Sequence, residues 1–165
     1  MENKILKYFL ASNSSEGFVS YFTENYNYTD GWRAYIIKGG PGTGKSSFMK
    51  YVAVKAVDAG CTVELCPCSS DPDSLDGVII KDKKIIMLDG TAPHVVEPKF
   101  PGVCEEIINL GQFWNSDILR KKAEQIIDVT GKNKKLHKTA GAYISAAGEL
   151  IYDNFKLSQQ FTSLK

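Results

Sequence analysis

Ala34-Tyr35-Ile36-Ile37-Lys38, followed without a break by Gly39-Gly40-Pro41-Gly42-Thr43-Gly44-Lys45-Ser46, is the stretch on which the reading of this chain turns. The first five residues are an apolar strand candidate, and the last eight match G-x-x-x-x-G-K-[ST], the P-loop pattern that wraps a phosphate chain. The residue types follow from charge and space. A triphosphate concentrates several negative charges, so its site must present many backbone N–H groups with few side chains in the way. Gly39, Gly42 and Gly44 have no Cβ and reach the positive-φ conformations such a loop needs, while Pro41 stiffens the turn. Gly40 and Thr43 complete the loop. Lys45 is expected to reach the β- and γ-phosphates and Ser46 to offer its hydroxyl to Mg²⁺, with Ser47 beside them in the first turn of the next helix. The plain alternative is a glycine turn that merely starts a helix.

That helix is expected from Lys45 to about Ala59, with Phe48, Val52 and Ala56 on one stripe and Met49, Ala53 and Val57 alongside. Its N-terminus points the positive end of its dipole at the same phosphates. Gly60 closes it, and Cys61 to Cys66 reads as the next strand, so strand, helix and strand make a parallel βαβ unit. The expected fold class is therefore α/β: a P-loop NTPase three-layer fold with a mainly parallel central sheet and a helical C-terminal part. Upstream, Ile5 to Leu10 is a strand candidate, Ala11 to Gly17 a turn, and Phe18, Val19, Tyr21, Phe22 and Tyr26 suggest a helix capped by Ser14 or Ser15. Downstream, the polar stretch Ser69 to Gly77 leads to Val78-Ile79-Ile80 and then to Ile85-Ile86-Met87-Leu88-Asp89. An apolar run closed by an aspartate fits a Walker B strand, whose carboxylate holds Mg²⁺; an ordinary Asp-Gly turn is the competing reading. Gly90 to Pro101 carries Pro93, Pro98 and Pro101, which forbid regular helix, and His94 within it is a candidate contact for phosphate or a second substrate. Glu105 to Leu110 is expected to be a short helix, with no parallel strand after the one ending at Asp89. Residues 116–157 read as helical. There Leu136, Ala140, Tyr143, Ile144, Ala147, Leu150 and Ile151 recur at three- and four-residue steps, an apolar face expected to pack.

Composition bounds the rest. A chain of 165 residues, 43% hydrophobic and 24% charged, supports one sizeable core, so residues 1–165 are expected to form a single domain. A net charge of +1 gives no electrostatic reason to expect nucleic acid or an anionic membrane. No apolar run approaches the roughly 20 residues that span a bilayer, and residues 1–10 are too interrupted for a signal peptide, so a cytoplasmic setting is expected. Cys61, Cys66, Cys68 and Cys104 then read as free thiols. Cys66-Pro67-Cys68 is not a C-x-x-C pair, and a zinc site would need Cys104 and His94 to complete it.

Asn133-Lys134-Lys135-Leu136 lacks the aspartate of N-K-x-D and Asp89-Gly90-Thr91-Ala92 the glycine of D-x-x-G, so ATP is favoured over GTP. The residue after Asp89 is Gly90, where motor-like ATPases carry a glutamate that orients water, which makes fast hydrolysis doubtful. Phosphoryl transfer draws on cationic groups, and the chain has only Arg33 and Arg120; Arg120 is the better candidate. Asp71 and Asp73 are candidates to orient an acceptor, Asp73 as a base, against the reading that they serve turn and cap chemistry.

Lys38 to Ser46, Cys68 to Val78, Asp89-Gly90-Thr91-Ala92-Pro93-His94 and Ile107-Ile108-Asn109-Leu110-Gly111 together resemble a Firmicutes-type bacterial family of predicted P-loop ATPases or nucleotide kinases. The likeness covers most of residues 8–120. It implies ATP binding without a defined substrate. Members typically run longer, with a second P-loop half, so the chain is expected to correspond to one half of that arrangement. The leading expectation is an ATP-binding protein, either an Mg²⁺-dependent ATPase or a kinase transferring the γ-phosphoryl group to a nucleotide or other small acceptor. The alternative is a nucleotide-responsive binding module with little turnover, working with a partner domain or a second copy.

Overall fold

The structure, a computed structural model, describes residues 5–14, 17–92 and 95–161. Its strands in chain order are β1 (Ile5–Lys7), β2 (Ala11–Ser14), β3 (Gly17–Ser20), β4 (Arg33–Lys38), β5 (Val63–Pro67), β6 (Leu75–Ile80), β7 (Ile85–Asp89) and β8 (Glu105–Asn109), and its α-helices are α1 (Lys45–Asp58), α2 (Ser116–Lys121) and α3 (Ala123–Phe161). The fold is mixed α/β. Six strands form one mainly parallel sheet in the order β1-β5-β6-β7-β4-β8, and β2 pairs with β3 alone. Only β6 runs against the others, antiparallel to both β5 and β7. The sheet interior is built from the β-branched and long aliphatic residues that suit a strand covered on both faces: Ile36, Ile37, Val78, Ile79, Ile86 and Leu88 have no exposed surface.

Helix α1 lays Met49, Ala53 and Ala56 on this sheet, a spacing of four and three residues that keeps them on one face. Phe48, Val52 and Val57 flank the same cluster. The helix ends where glycine permits it to: Gly60 takes φ 82°, its N–H donates to Val57 O, and the Cys61 N–H donates to Ala56 O at 3.0 Å. This is a Schellman closure that satisfies the last carbonyls.

Three expectations are corrected. Glu105 to Leu110 is not a helix: Glu105–Asn109 is β8, parallel to β4 in the register Ala34↔Glu105 to Lys38↔Asn109. A parallel strand therefore does come after β7 in the chain. The buried Glu105 carboxylate is accommodated because it accepts from the Tyr26 hydroxyl at 2.6 Å and the Phe100 N–H at 2.5 Å. Upstream, residues 11–26 are not a turn followed by a helix: Ala11–Ser14 is β2, Gly17–Ser20 is β3, and Phe22–Glu24 is a 3₁₀ turn whose Phe22 is buried. Finally, the apolar stripe of α3 is not packed: none of this helix's residues is buried, and Leu136, Tyr143 and Leu150 are all exposed.

Internal contacts divide the chain into two compact units, residues 1–12 with 20–115 and residues 13–19 with 116–165. The first holds the six-stranded sheet and α1. The second holds α2 and α3, which together cover the stretch expected to be helical. Among the described residues, no helix is long and apolar enough to cross a membrane.

Candidate functional site

Parallel strands bring their carboxyl ends to one edge, and the crevice outside those ends is where open α/β sheets hold ligands. Here β7, β4 and β8 end side by side, with Ile37 level with Asp89 and Lys38 level with Asn109. The glycine-rich loop leaves β4 between them and runs into α1. Two glycines suit its path. At Gly39 a Cβ would lie 2.7 Å from the Thr43 hydroxyl oxygen. Gly44, the residue before α1, sits in the left-handed region at φ 86° and contributes no capping side chain. The first N–H groups of α1 are thus not claimed by a cap of its own.

Lys45 folds back over this loop. Its Nζ donates to Gly39 O at 2.7 Å and Gly40 O at 3.1 Å, and lies 3.5 Å from Asp89 Oδ2 with both side chains largely buried. The other Asp89 oxygen accepts from Thr91 N at 2.8 Å. The Thr91 hydroxyl in turn donates to Gly39 O at 2.8 Å and accepts from Gly39 N at 3.1 Å, tying the end of β7 to the start of the loop. Thr43 Oγ1 donates to Gly40 O at 2.8 Å. Ser46 Oγ accepts from Leu75 N at 2.9 Å, which fixes the hydroxyl toward β6. Beneath the loop, Lys38 Nζ holds Gly90 O, Val96 O and the Glu97 carboxylate, the last at 2.5 Å, and so anchors the proline-bearing segment.

Lys45, Asp89, Thr91, Thr43 and Ser46 line a cavity of about 580 Å³. Its wall takes Pro41, Gly42, Thr43, Gly44, Lys45, Ser46 and Ser47 from the loop and α1, together with Asp71, Asp76, Asp89 and Thr91. Among the described lining residues Lys45 is the one cation against three aspartates. Carboxylates gathered beside a single ammonium could be shared with a divalent cation that arrives with an anion. Hydroxyl and carboxylate oxygens are hard ligands, and Mg²⁺ characteristically takes one or two carboxylates with phosphate and water completing its shell. Ser46, Asp89 and Asp76 fit that description. No group of three or more His, Cys, Asp or Glu side chains fit to hold a metal occurs among the described residues.

The remaining candidates scatter. Asp71 lines the cavity and accepts from the Ser74 hydroxyl at 2.6 Å. Asp73 does not line it; it borders a separate recess of about 440 Å³ with Ile5, Lys7 and Lys50, and its carbonyl accepts from the Lys50 ammonium. Arg120 belongs to the helical unit and pairs with Asp117 at 3.3 Å. His94 lies outside the described residues. Two cavity residues escape sequence reasoning. Asp76 reads as part of a polar turn but stands in β6, only 3% exposed. Thr91 falls within the Asp89 to His94 stretch that carries the resemblance but is given no role there; its local signal is its place two residues after an aspartate, where an Asp side chain captures a backbone N–H.

Cys66 and Cys68 are muted rather than activated. Burial first, then the Glu64 and Asp76 carboxylates, push Cys66 from 9.0 up to about 12, and burial raises Cys68 as well. Since the folded value of Cys66 exceeds the unfolded one, its contribution to stability is complete below pH 9 and is lost as pH rises toward 12. Cys66 is expected to resist a thiol-specific disulfide reagent at about pH 8 until the protein unfolds. Labelling with peptide mapping checks this, and rapid native labelling of Cys66 would contradict it.

No protein-family model matches the chain, and neither a curated protein nor a solved structure matches it. Function is therefore read from the site's own chemistry.

Proposed function

We propose that the protein binds Mg·ATP in the glycine-rich loop and transfers its γ-phosphoryl group, as an Mg²⁺-dependent ATPase or as a kinase acting on a nucleotide or other small acceptor. The supporting observation is the position of Lys45: held on the carbonyls of Gly39 and Gly40 and paired with Asp89 at 3.5 Å in the wall of a cavity that the glycine-rich loop helps to line. On this reading the loop is a P-loop, and the sheet is that of a P-loop NTPase. The resemblance to predicted P-loop ATPases and nucleotide kinases points the same way.

Lys45 would exchange its carbonyl partners for β- and γ-phosphate oxygens, which are stronger acceptors because they are charged. The amides of residues 42–46 would take the remaining phosphate oxygens. Mg²⁺ held by Ser46 and Asp89 would neutralise charge on the same oxygens. Asp71, which lines the cavity, would receive the proton of an acceptor hydroxyl. In the transfer, the bond from the γ-phosphorus to the β–γ bridging oxygen breaks, a bond to the acceptor oxygen forms, and ADP leaves. Asp73, in a different recess, is not assigned this task.

A second reading is a nucleotide-responsive binding module with little turnover. It is favoured by the absence of arginine among the described cavity residues and by Gly90 where a water-orienting glutamate would stand. Equilibrium titration with Mg·ATP, repeated in excess EDTA, tests the shared part: binding that needs the metal is expected, and no binding under either condition overturns both readings. Phosphate release and transfer to a panel of nucleoside and small-molecule acceptors then separates them. Any turnover lost on removing Mg²⁺ supports the enzyme, while tight Mg·ATP binding with no turnover leaves the module.

A further inference from the structure

The loop has a second flank. On one side of β4 stands β7 with Asp89; on the other stands β8, which runs directly into a short turn, Leu110–Phe113, ending at Trp114. That turn is held from inside: Asn109 Oδ1 accepts from Gly111 N at 2.9 Å, and Trp114 N donates to Gly111 O at 3.1 Å. The indole then folds back toward the glycine-rich loop. A Cβ on Gly111 would lie 3.3 Å from Trp114 Cη2 and Cζ3, and one on Gly40 would lie 3.2 Å from Cζ2. The ring thus occupies the space that a side chain at either glycine would need. Yet Trp114 remains 48% exposed, and its neighbour Phe113 76%. A large aromatic fixed by backbone on one part of its surface and open on the rest, beside a loop built for phosphate, is unexplained by core packing.

We propose that Trp114 is the platform on which the nucleobase stacks. This rests on the reading of the loop as a triphosphate site and supplies what that reading lacks, a contact for the base. The dimensions suit it. Asp89 and the residues after β8 are separated by two strand spacings, roughly 10 Å, a span comparable with an extended triphosphate chain. With the γ-phosphate near Lys45 and Asp89 on the β7 flank, the phosphates run along the loop and the sugar and base emerge on the β8 flank, beside the indole. Stacking needs only a π-face, and the exposed part of Trp114 provides one without a base-specific motif.

The test pairs ATP with inorganic triphosphate, which has the charge of the ligand but no base. Trp114→Ala is expected to weaken Mg·ATP binding roughly 5- to 150-fold while leaving Mg·triphosphate affinity unchanged. Trp114→Phe keeps an aromatic face and is expected to restore most of the ATP affinity. It should also abolish the nucleotide-induced change in tryptophan fluorescence, since the other tryptophan, Trp32, precedes β4 at the far end of that strand. Equal weakening of ATP and triphosphate by Trp114→Ala would reduce the residue to a support for the loop and overturn the proposal. So would unchanged ATP affinity in a variant whose binding is still abolished by Lys45→Ala. Wild-type protein that binds neither ligand would instead overturn the reading of the loop itself.

Discussion

Lys45→Ala is expected to weaken Mg·ATP binding by about 100-fold or more, equivalent to about 3 kcal/mol. The reason is the charge balance of the cavity. Lys45 is the one cation among its described lining residues, which also include Asp71, Asp76 and Asp89. On the proposed reading its removal would delete the charge-assisted bonds to phosphate, and it leaves Asp89 without the ammonium 3.5 Å away. Both changes oppose a polyanion. Lys45→Arg tests geometry separately from charge: the planar guanidinium is too broad to sit on the Gly39 and Gly40 carbonyls at 2.7 Å and 3.1 Å, so it should restore only a small part of the affinity. Isothermal titration, with thermal melting of each variant to show that the fold persists, makes the measurement. A folded Lys45→Ala protein that binds Mg·ATP within about threefold of wild type would remove the loop's assigned role.

Gly90→Ala is expected to destabilise the protein by about 1–3 kcal/mol, and Gly90→Glu by more. A Cβ at this position would lie 2.4 Å from Ile36 Cγ2, 3.3 Å from Lys38 Cε and 3.3 Å from the Val96 carbonyl oxygen. Ile36 is fully buried in β4 and cannot retreat without opening the sheet interior. The consequence is functional as well as structural. Position 90 comes directly after Asp89, so it is where a water-orienting glutamate would be installed, and β4 packs too closely there to admit one. Gly90→Glu is expected to lower the urea midpoint and to leave any ATP hydrolysis no faster. Stability within about 0.5 kcal/mol of wild type, or a rise in hydrolysis, would show that the close approach to Ile36 is not limiting.

Positions 45 and 90 show how far local sequence reaches. The loop, the strand before it, the helix after it and the strand ending in Asp89 are legible because each is a local pattern: glycines at fixed spacing, an uninterrupted apolar run, a 3.6-residue stripe closed by Gly60. Glu105 to Leu110 misleads for the complementary reason. So short a mixed apolar and polar run gives periodicity too little length to separate helix from strand. Its state is decided by the free edge of β4, distant in the chain, through the pairing Ala34↔Glu105 to Lys38↔Asn109. The stripe on α3 is legible as apolar but not as exposed, since a pattern says which face is apolar and not what covers it.

The sequence by itself determined the glycine-rich loop, its lysine and serine, the strand–helix–strand around it, and the aspartate that closes β7. These are properties of nearest neighbours along the chain: backbone freedom, apolar spacing and helix termination. Only the tertiary structure decided that β6 runs against its neighbours and carries Asp76 into the cavity, that Asp73 borders a different recess, and that β8 sets Trp114 against Gly40. Strand order and direction are chosen by hydrogen bonds between segments distant in the chain. No local pattern encodes which edge a strand will find free.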